Sequence, residues 1–208
     1  MFEYGLLGIV VGLPGLIIAM VVHEYAHARV AVALGDFTPR LMGRLTLNPM
    51  SHIDPIGLLM LILIRFGWAK PVIINPNNFK NPKRDDILVS LAGPAANIIT
   101  AFAAYLVIVL FIKLGFEMTN GTQQVLLLIM IFNVNFAIFN LIPLPPLDGS
   151  HVLRQLLPWE YAQKLDALER YSFLILIVIL MTPILGWIFI PAQRFILSIF
   201  DLIGSFLL

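Results

Sequence analysis

The sequence predicts an all-α polytopic membrane protein, a bundle of about four transmembrane helices. Hydrophobic residues make up 60% of its 208 residues and charged residues only 12%, about half the charged fraction of a typical soluble domain. Uncharged apolar runs cover residues 4–22, 87–112 and 171–193, and each is long enough to cross a hydrocarbon core about 30 Å thick. A soluble enzyme and a disordered chain are excluded. The formal net charge of +1 gives no reason to expect nucleic acid as a partner.

The spans follow from these runs and from the residues that interrupt them. The first helix is expected over residues 4–33, because Gly35 is a good C-terminal stop. Further spans are predicted at 87–112, 125–142 and 171–190. Residues 55–64 are too few to cross the bilayer, since ten helical residues reach about 15 Å, and they favour a short re-entrant segment.

Two smaller features complete the predicted fold of a single domain, residues 1–208. The stretches 44–47 and 72–74 resemble short strands, and they predict a small β element at the cytoplasmic face of the membrane. Ser198, Asp201 and Ser205 share one helical face, so residues 195–208 favour an amphipathic C-terminal helix lying in the membrane interface.

The first chemical motif is HExxH at residues 23–27. His23 and His27 are four residues apart, so on a helix both imidazoles lie on one face and can bind the same metal ion. Glu24 lies beside them, placed to take a proton from a water molecule that the metal activates. Two histidines that only face the bundle interior are the alternative, but ionisable residues after a long apolar run favour a functional site. Without cysteine, a metal needs His, Asp or Glu ligands.

A zinc ion needs a third protein ligand, and three residues are candidates. Asp148 lies in the segment 140–149, whose three prolines cannot continue a helix, so the third span is expected to unwind near Leu141. Irregular backbone at membrane depth is tolerated only where it is buried in protein or lines a polar cavity. Asp148 is therefore a strong candidate, although it could equally cap a broken helix end. The rivals are His52, in a loop, and His151.

Asparagines and small residues mark two further positions. Small residues in 90–97 allow close helix approach, so packing against the first helix is the favoured role of this stretch. Contact between Asn97 and substrate is the alternative. Asn133 and Asn140 share a face of the third span. Asn140 could donate a hydrogen bond to a substrate carbonyl or a developing oxyanion, whereas Asn133 is expected to join helices.

Three motifs together resemble the site-2 protease family of intramembrane zinc metalloproteases, peptidase family M50. They are HEYAH at 23–27, SLAGPAAN at 90–97 and NLIPLPPLDG at 140–149, in that order. The resemblance covers roughly residues 18–150. Because the chain has no insert long enough for a PDZ domain, it is most similar to the compact bacterial members of the family.

This resemblance implies one Zn²⁺ per chain, bound by His23, His27 and Asp148, with Glu24 as the catalytic acid and base. Asn140 falls on the asparagine of the family motif NxxPxPxxDG and is expected to bind substrate. The implied activity is endopeptidase cleavage of transmembrane segments, so the partners are a transmembrane protein substrate and the lipid bilayer. An exposed edge of the small β element would hold the unwound substrate. The alternative is a non-catalytic metal-binding scaffold or a transporter, although a transporter should carry ionisable groups along several spans.

The basic residues predict the orientation of the bundle. If residues 55–64 do not cross, the HExxH motif and Asp148 lie at the same end. Most of the basic residues then lie at that end, which by the positive-inside rule predicts a cell-membrane protein with its active site toward the cytoplasm and its N-terminus outside. At the active-site end are Arg29, Arg40, Arg44, Arg65, Lys70, Lys80, Lys83, Arg84, Arg154, Lys164 and Arg170, against Lys113 and Arg194 at the other.

Overall fold

The computed structural model describes residues 5–64 and 67–207, and its regular secondary structure is helical. The predictions that involve Tyr4 and Arg65 lie outside the described residues. The helices are α1 (Gly5–Ala33), α2 (Thr38–Leu41), α3 (Pro55–Ile64), α4 (Pro82–Lys113), α5 (Asn120–Asn140), α6 (Asp148–Leu156), α7 (Trp159–Glu169), α8 (Ser172–Leu180) and α9 (Ile184–Leu207).

Four of the described helices are long and apolar enough to cross a membrane, which confirms a multi-pass membrane protein. The spans are Val11–Ala33 of α1, Pro82–Lys113, Asn120–Asn140 and Ile184–Phe206. The first three correspond to predicted spans. The fourth lies further along the chain than predicted.

The prediction for the fourth span and the interfacial helix is wrong. Within 171–190, α8 ends at Leu180 and α9 begins at Ile184. Pro183 disfavours a helical conformation for the residue before it, which explains the break inside an apolar run. Residues 195–207, predicted to lie in the interface, are the second half of α9, and Phe200 is buried among residues of α4 and α5. One side of this helix packs against α4 and α5, while Phe195, Leu202 and Phe206 stay exposed, as in a helix that crosses the membrane.

The predicted small β element is absent from the described part of the chain. Residues 44–47 and 72–74 form no strand, and the nearest feature is one isolated antiparallel bridge between Ile53 and Ala69. The backbone N–H groups of Val72 and Asn75 donate to carboxylates of α1 and of the loop after it, so they are not available to a neighbouring strand.

The re-entrant path predicted for residues 55–64 is not supported either. These residues form α3, but within the described residues α3 makes no extensive packing against a spanning helix. A segment that turns back within the membrane has irregular backbone at its turn, and such backbone needs protein or a polar cavity around it.

The end of α1 is fixed by Gly35 and Asp36. Gly35 has φ +110°, a left-handed conformation that a glycine adopts without a steric penalty, and it stops the helix as predicted. The buried Asp36 carboxylate accepts hydrogen bonds from Thr38, from the N–H of Asn75 at 2.7 Å and from the side chain of Asn78 at 2.7 Å. Burial raises the pKa of Asp36, but these donors outweigh it and hold the pKa below its usual value. Residues 75–78 are thereby tied to α1.

The bundle is built on α1, α4 and α5, which pack against one another, while α9 packs on α4 and α5. The core between α4, α5 and α9 contains Ala101, Ala104, Met130, Val134, Ile138 and Phe200. The last turns of α1 and α5 and the first turns of α4 meet at one end of the bundle, where α6 packs against α4. The site described next lies at this end.

Candidate metal centre

His23, His27 and Asp148 meet where α1, α4 and α6 converge. The Nε2 atoms of the two histidines are 3.0 Å apart, and Oδ2 of Asp148 lies 3.1 Å from that of His23 and 3.2 Å from that of His27. Two ligand atoms that lie about 2.0–2.1 Å from a tetrahedral Zn²⁺ are about 3.3 Å apart. The three atoms therefore match one face of a zinc tetrahedron.

Hydrogen bonds to the other ring nitrogens establish which imidazole atoms carry protons. Nδ1 of His23 donates to Oδ1 of Asn97 at 2.7 Å, and Nδ1 of His27 donates to the carbonyl of Val89 at 2.7 Å. In the neutral rings both Nε2 atoms then carry lone pairs, and two lone pairs cannot hydrogen-bond to each other. Oδ2 of Asp148 is also buried without a hydrogen-bond donor among the described residues. A cation between these three atoms satisfies all of them.

Asp148 reaches the histidines because α5 ends where its prolines begin. The helix stops at Asn140, irregular backbone follows through Leu147, and Asp148 opens α6, as the proline pattern predicts. Burial raises the pKa of Asp148, but the two imidazoles outweigh it and hold the pKa well below its usual value. The carboxylate is therefore ionised and suited to bind a cation.

Gly93 on α4 lies directly against both imidazoles. A Cβ at this position would overlap Nε2 of His27 and the ring of His23. The close approach of the small-residue stretch 90–97 to the first helix is thus confirmed, and two of the candidate metal ligands lie at the point of contact.

The hydrogen bond between Asn97 and the candidate ligand His23 was not predicted from the sequence. It is fully buried, and its amide donates to the carbonyl of Ala19 at 2.8 Å and to Oδ1 of Asn133 at 2.9 Å, which orients its own Oδ1 toward His23. Asn133 joins helices as expected. Asn97 follows Gly93 by one helical turn on the same face of α4, and this spacing was the available signal.

Glu24 and Asn140 line a cleft of about 920 Å³ that also contains the three ligand residues. Oε2 of the half-buried Glu24 accepts a hydrogen bond from the N–H of Val72 at 2.9 Å. The side chain of Asn140 donates to the carbonyl of Phe136 at 2.9 Å, within its own helix. Its role toward a substrate remains a prediction.

The two rival ligands do not belong to the group of converging ligand atoms among the described residues. His52 is buried in the loop before α3, where Nε2 donates to the carbonyl of Thr46 at 2.8 Å. His151 lines the same cleft as Asp148. Among the residues that the structure describes, only His23, His27 and Asp148 bring ligand atoms together.

Known proteins resemble most of this chain. The family model described as Peptidase family M50 matches residues 110–183. YwhC of Bacillus subtilis (strain 168), named as a candidate zinc metalloprotease, is 39% identical over 180 residues, which cover 85% of this chain and 82% of YwhC. The chain belongs to peptidase family M50.

Two further relatives of this M50 protein carry the same description in their names. Rip2 of Mycolicibacterium smegmatis is 31% identical over 187 residues, and Rip2 of Mycobacterium tuberculosis (strain H37Rv) is 28% identical over 185 residues. Each match covers 85% of this chain and 69% of the relative. No solved structure matches. The resemblance to site-2 proteases is confirmed, and the chain is a metalloprotease.

We expect Asn97→Ala to lower zinc affinity roughly 10- to 100-fold, because Nδ1 of His23 loses the acceptor that fixes its ring. Competition with a chromophoric chelator on purified protein measures this. Asn135→Ala is a matched control, since it removes another interhelical amide pair, with Gln193, away from the metal residues. It should lower thermal stability and leave zinc affinity unchanged. Parental zinc affinity in Asn97→Ala would contradict the assigned role.

Proposed function

We propose that this chain is an intramembrane zinc endopeptidase that cuts transmembrane segments of other membrane proteins. The observation that carries the proposal is the depth of the three converging ligand atoms. His27 and His23 hydrogen-bond to Val89 and Asn97 of α4, about one and three helical turns beyond Asp86, the last charged residue before the apolar run. A protease centre at that depth meets peptide bonds that lie within the bilayer.

The residues present fit one Zn²⁺ per chain, held by His23, His27 and Asp148. When bound, Zn²⁺ polarises a carbonyl as a Lewis acid and lowers the pKa of water to about 7. Glu24 faces the same cleft from the position next to His23. Its carboxylate takes a proton from the attacking water and passes it to the leaving amine, while Asn140 binds the substrate carbonyl.

The substrate has to unwind before it is cut. In a helix the peptide bonds are surrounded by side chains and hydrogen-bonded within the segment. The irregular residues around Val72 lie beside Glu24, so the cleft next to the carboxylate is bounded by non-helical backbone. An unwound segment of substrate has the shape that such a cleft accepts.

A transporter or a non-catalytic scaffold is not favoured. Residues 87–112 of α4 and all of α5 carry no Asp, Glu, Lys, Arg or His, so no chain of ionisable groups leads along these two helices away from the centre. Glu24 also stands next to the ligands, where a scaffold that only bound metal would have no use for a proton acceptor.

We further propose that the protein lies in the cell membrane with the metal centre toward the cytoplasm. Basic residues are concentrated at the metal-centre end, near the end of α1, at the start of α4 and on α6 and α7. Lys113 lies at the opposite end. Arg194, predicted to lie beyond the last span, is instead inside α9, so it does not count toward either side.

Single-cysteine labelling tests the orientation, since the natural chain has no cysteine. Lys80 precedes α4 at the metal-centre end, and Glu117 lies in the loop between α4 and α5 at the other end; both are exposed. In intact cells a membrane-impermeant thiol reagent should label Glu117→Cys at once and Lys80→Cys only after permeabilisation. The reverse pattern would contradict a cytoplasmic active site.

Metal binding and catalysis should separate on mutation. Glu24→Gln keeps every ligand, so we expect about one equivalent of zinc and a loss of cleavage of roughly 10²-fold or more. Asp148→Ala removes a ligand and should lose both zinc and activity. The assay is a panel of model transmembrane substrates with purified protein, with and without a zinc chelator, alongside metal analysis. Parental cleavage by Glu24→Gln would refute the mechanism, and full zinc occupancy in Asp148→Ala would redirect the third ligand to His151 or His52.

Asn140 should serve the reaction more than the fold. Asn140→Ala is expected to leave zinc content and melting temperature nearly unchanged and to slow the chemical step roughly 10²-fold, the lower range for losing one oxyanion donor. Asn140→Asp keeps the size but places negative charge beside the developing oxyanion, so it should be at least as damaging. Single-turnover cleavage measures both. Joint loss of zinc, stability and turnover in Asn140→Ala would show a structural role instead.

A further inference from the structure

One stripe along the exposed side of α9 carries four polar side chains among apolar ones, and no other described helix covers it. Six exposed side chains form this stripe. They belong to two sets of three, and within each set the positions are seven residues apart. The α9 stripe consists of Trp187, Pro191, Arg194, Ser198, Asp201 and Ser205. The other side of α9 packs into the bundle through Phe189, Gln193 and Phe200.

Arg194 lies near the middle of this span. It is about 15 Å along the helix from Ile184, and the hydrocarbon core is about 30 Å thick. The adjacent Gln193 hydrogen-bonds to Asn135 inside α5, which places this part of α9 at the depth of the bundle interior. Snorkelling brings a long side chain to the interface from positions near helix ends, and Arg194 is not such a position.

The guanidinium of Arg194 has no ion pair or hydrogen bond to any other described residue. The remaining polar side chains of the α9 stripe are satisfied within the protein. Ser198 and Ser205 donate to carbonyls three residues earlier in α9, and Asp201 interacts electrostatically with the hydroxyl of Tyr105 of α4. Arg194 is thus the one charged group of the stripe that faces outward without a partner in the part of the chain that is described.

We propose that the α9 stripe binds a transmembrane helix of another membrane protein and that this helix carries a carboxylate facing Arg194. Charged residues inside spans normally face protein and pair with an opposite charge. The seven-residue repeat suits a single helix that crosses α9 at a small angle, and the small side chains of Ser198 and Ser205 let it approach closely. Pro191 adds a further polar atom, because it cannot donate to the carbonyl of Trp187.

A second copy of the chain does not meet this requirement. Copies in one membrane run in the same direction, so a symmetric pair of α9 helices would place Arg194 against Arg194. Asp201 is about 10 Å further along the helix and interacts electrostatically with Tyr105 of the same chain. Glu24 lies in the cleft of the metal centre. The carboxylate must come from a different protein, and this conclusion does not depend on proteolytic activity.

Fluorescence energy transfer in phosphatidylcholine vesicles tests the proposal. The donor is attached to Glu117→Cys, in the loop between α4 and α5 and off the stripe. The probe is a leucine-rich transmembrane peptide with one aspartate at its centre, compared with the all-leucine peptide. The aspartate peptide should bind about tenfold more tightly, and Arg194→Leu should abolish that difference. Lys113→Leu, which removes an exposed positive charge at the end of α4, is the matched control and should keep it.

A charge exchange keeps the test decisive if Arg194→Leu alters packing. Arg194→Glu should bind the aspartate peptide no better than all-leucine and should prefer a peptide with a central lysine. Equal binding of the aspartate and leucine peptides by the parent protein would overturn the proposal. So would Arg194-dependent energy transfer between two copies without peptide, which would identify a second copy as the occupant. Loss of the aspartate preference on adding phosphatidylglycerol would identify a lipid phosphate instead.

Discussion

The candidate metal centre and the packing of the bundle both depend on two hydrogen bonds, which Nδ1 of His23 and Nδ1 of His27 donate. Each bond ends on α4, one at an asparagine amide and the other at a backbone carbonyl. Because these acceptors fix the ring tautomers, both Nε2 lone pairs point to one place, where the Asp148 carboxylate also arrives. The distance between α1 and α4 is therefore set by an imidazole and its hydrogen bond, and Gly93 supplies the room for it.

Polar groups in the membrane interior are costly unless they are paired, and this penalty organises the residues around the centre. Asn97 is held by carbonyl and amide oxygens of α1 and α5, and Asn133 in turn donates to a carbonyl of its own helix at 2.8 Å. A path of satisfied hydrogen bonds thus links three helices to one imidazole. On α9 the same penalty applies to Arg194, which finds no such partner within the described bundle.

The convergence of His23, His27 and Asp148 was predictable because its signals are local. Four-residue spacing on a helix places His23 beside His27, and prolines in an apolar segment force the turn that presents Asp148. The hydrogen bond of Asn97 needs the packing of α1 on α4, which one sequence does not contain. The predicted position of the fourth span was wrong because hydropathy alone does not locate the helix break before Ile184. The prediction of the β element was wrong because the carboxylates of Glu24 and Asp36 accept from backbone N–H groups in and beside the expected strand. Such long-range partners leave no periodic signal in the sequence.

Gly93 also limits how the sequence of this protein can diverge. A methyl group at this position would occupy the space of two imidazole rings, so no single replacement of the glycine leaves the pair of histidines where it is. Conversely, a smaller residue in place of either histidine would open a void against the glycine and loosen the contact between α1 and α4. At this contact the spacing of α1 and α4 and the positions of the two histidines cannot change independently. A lineage that changed either of them stepwise would have to pass through a form that lacks both the intact packing and the convergence of the three candidate ligands.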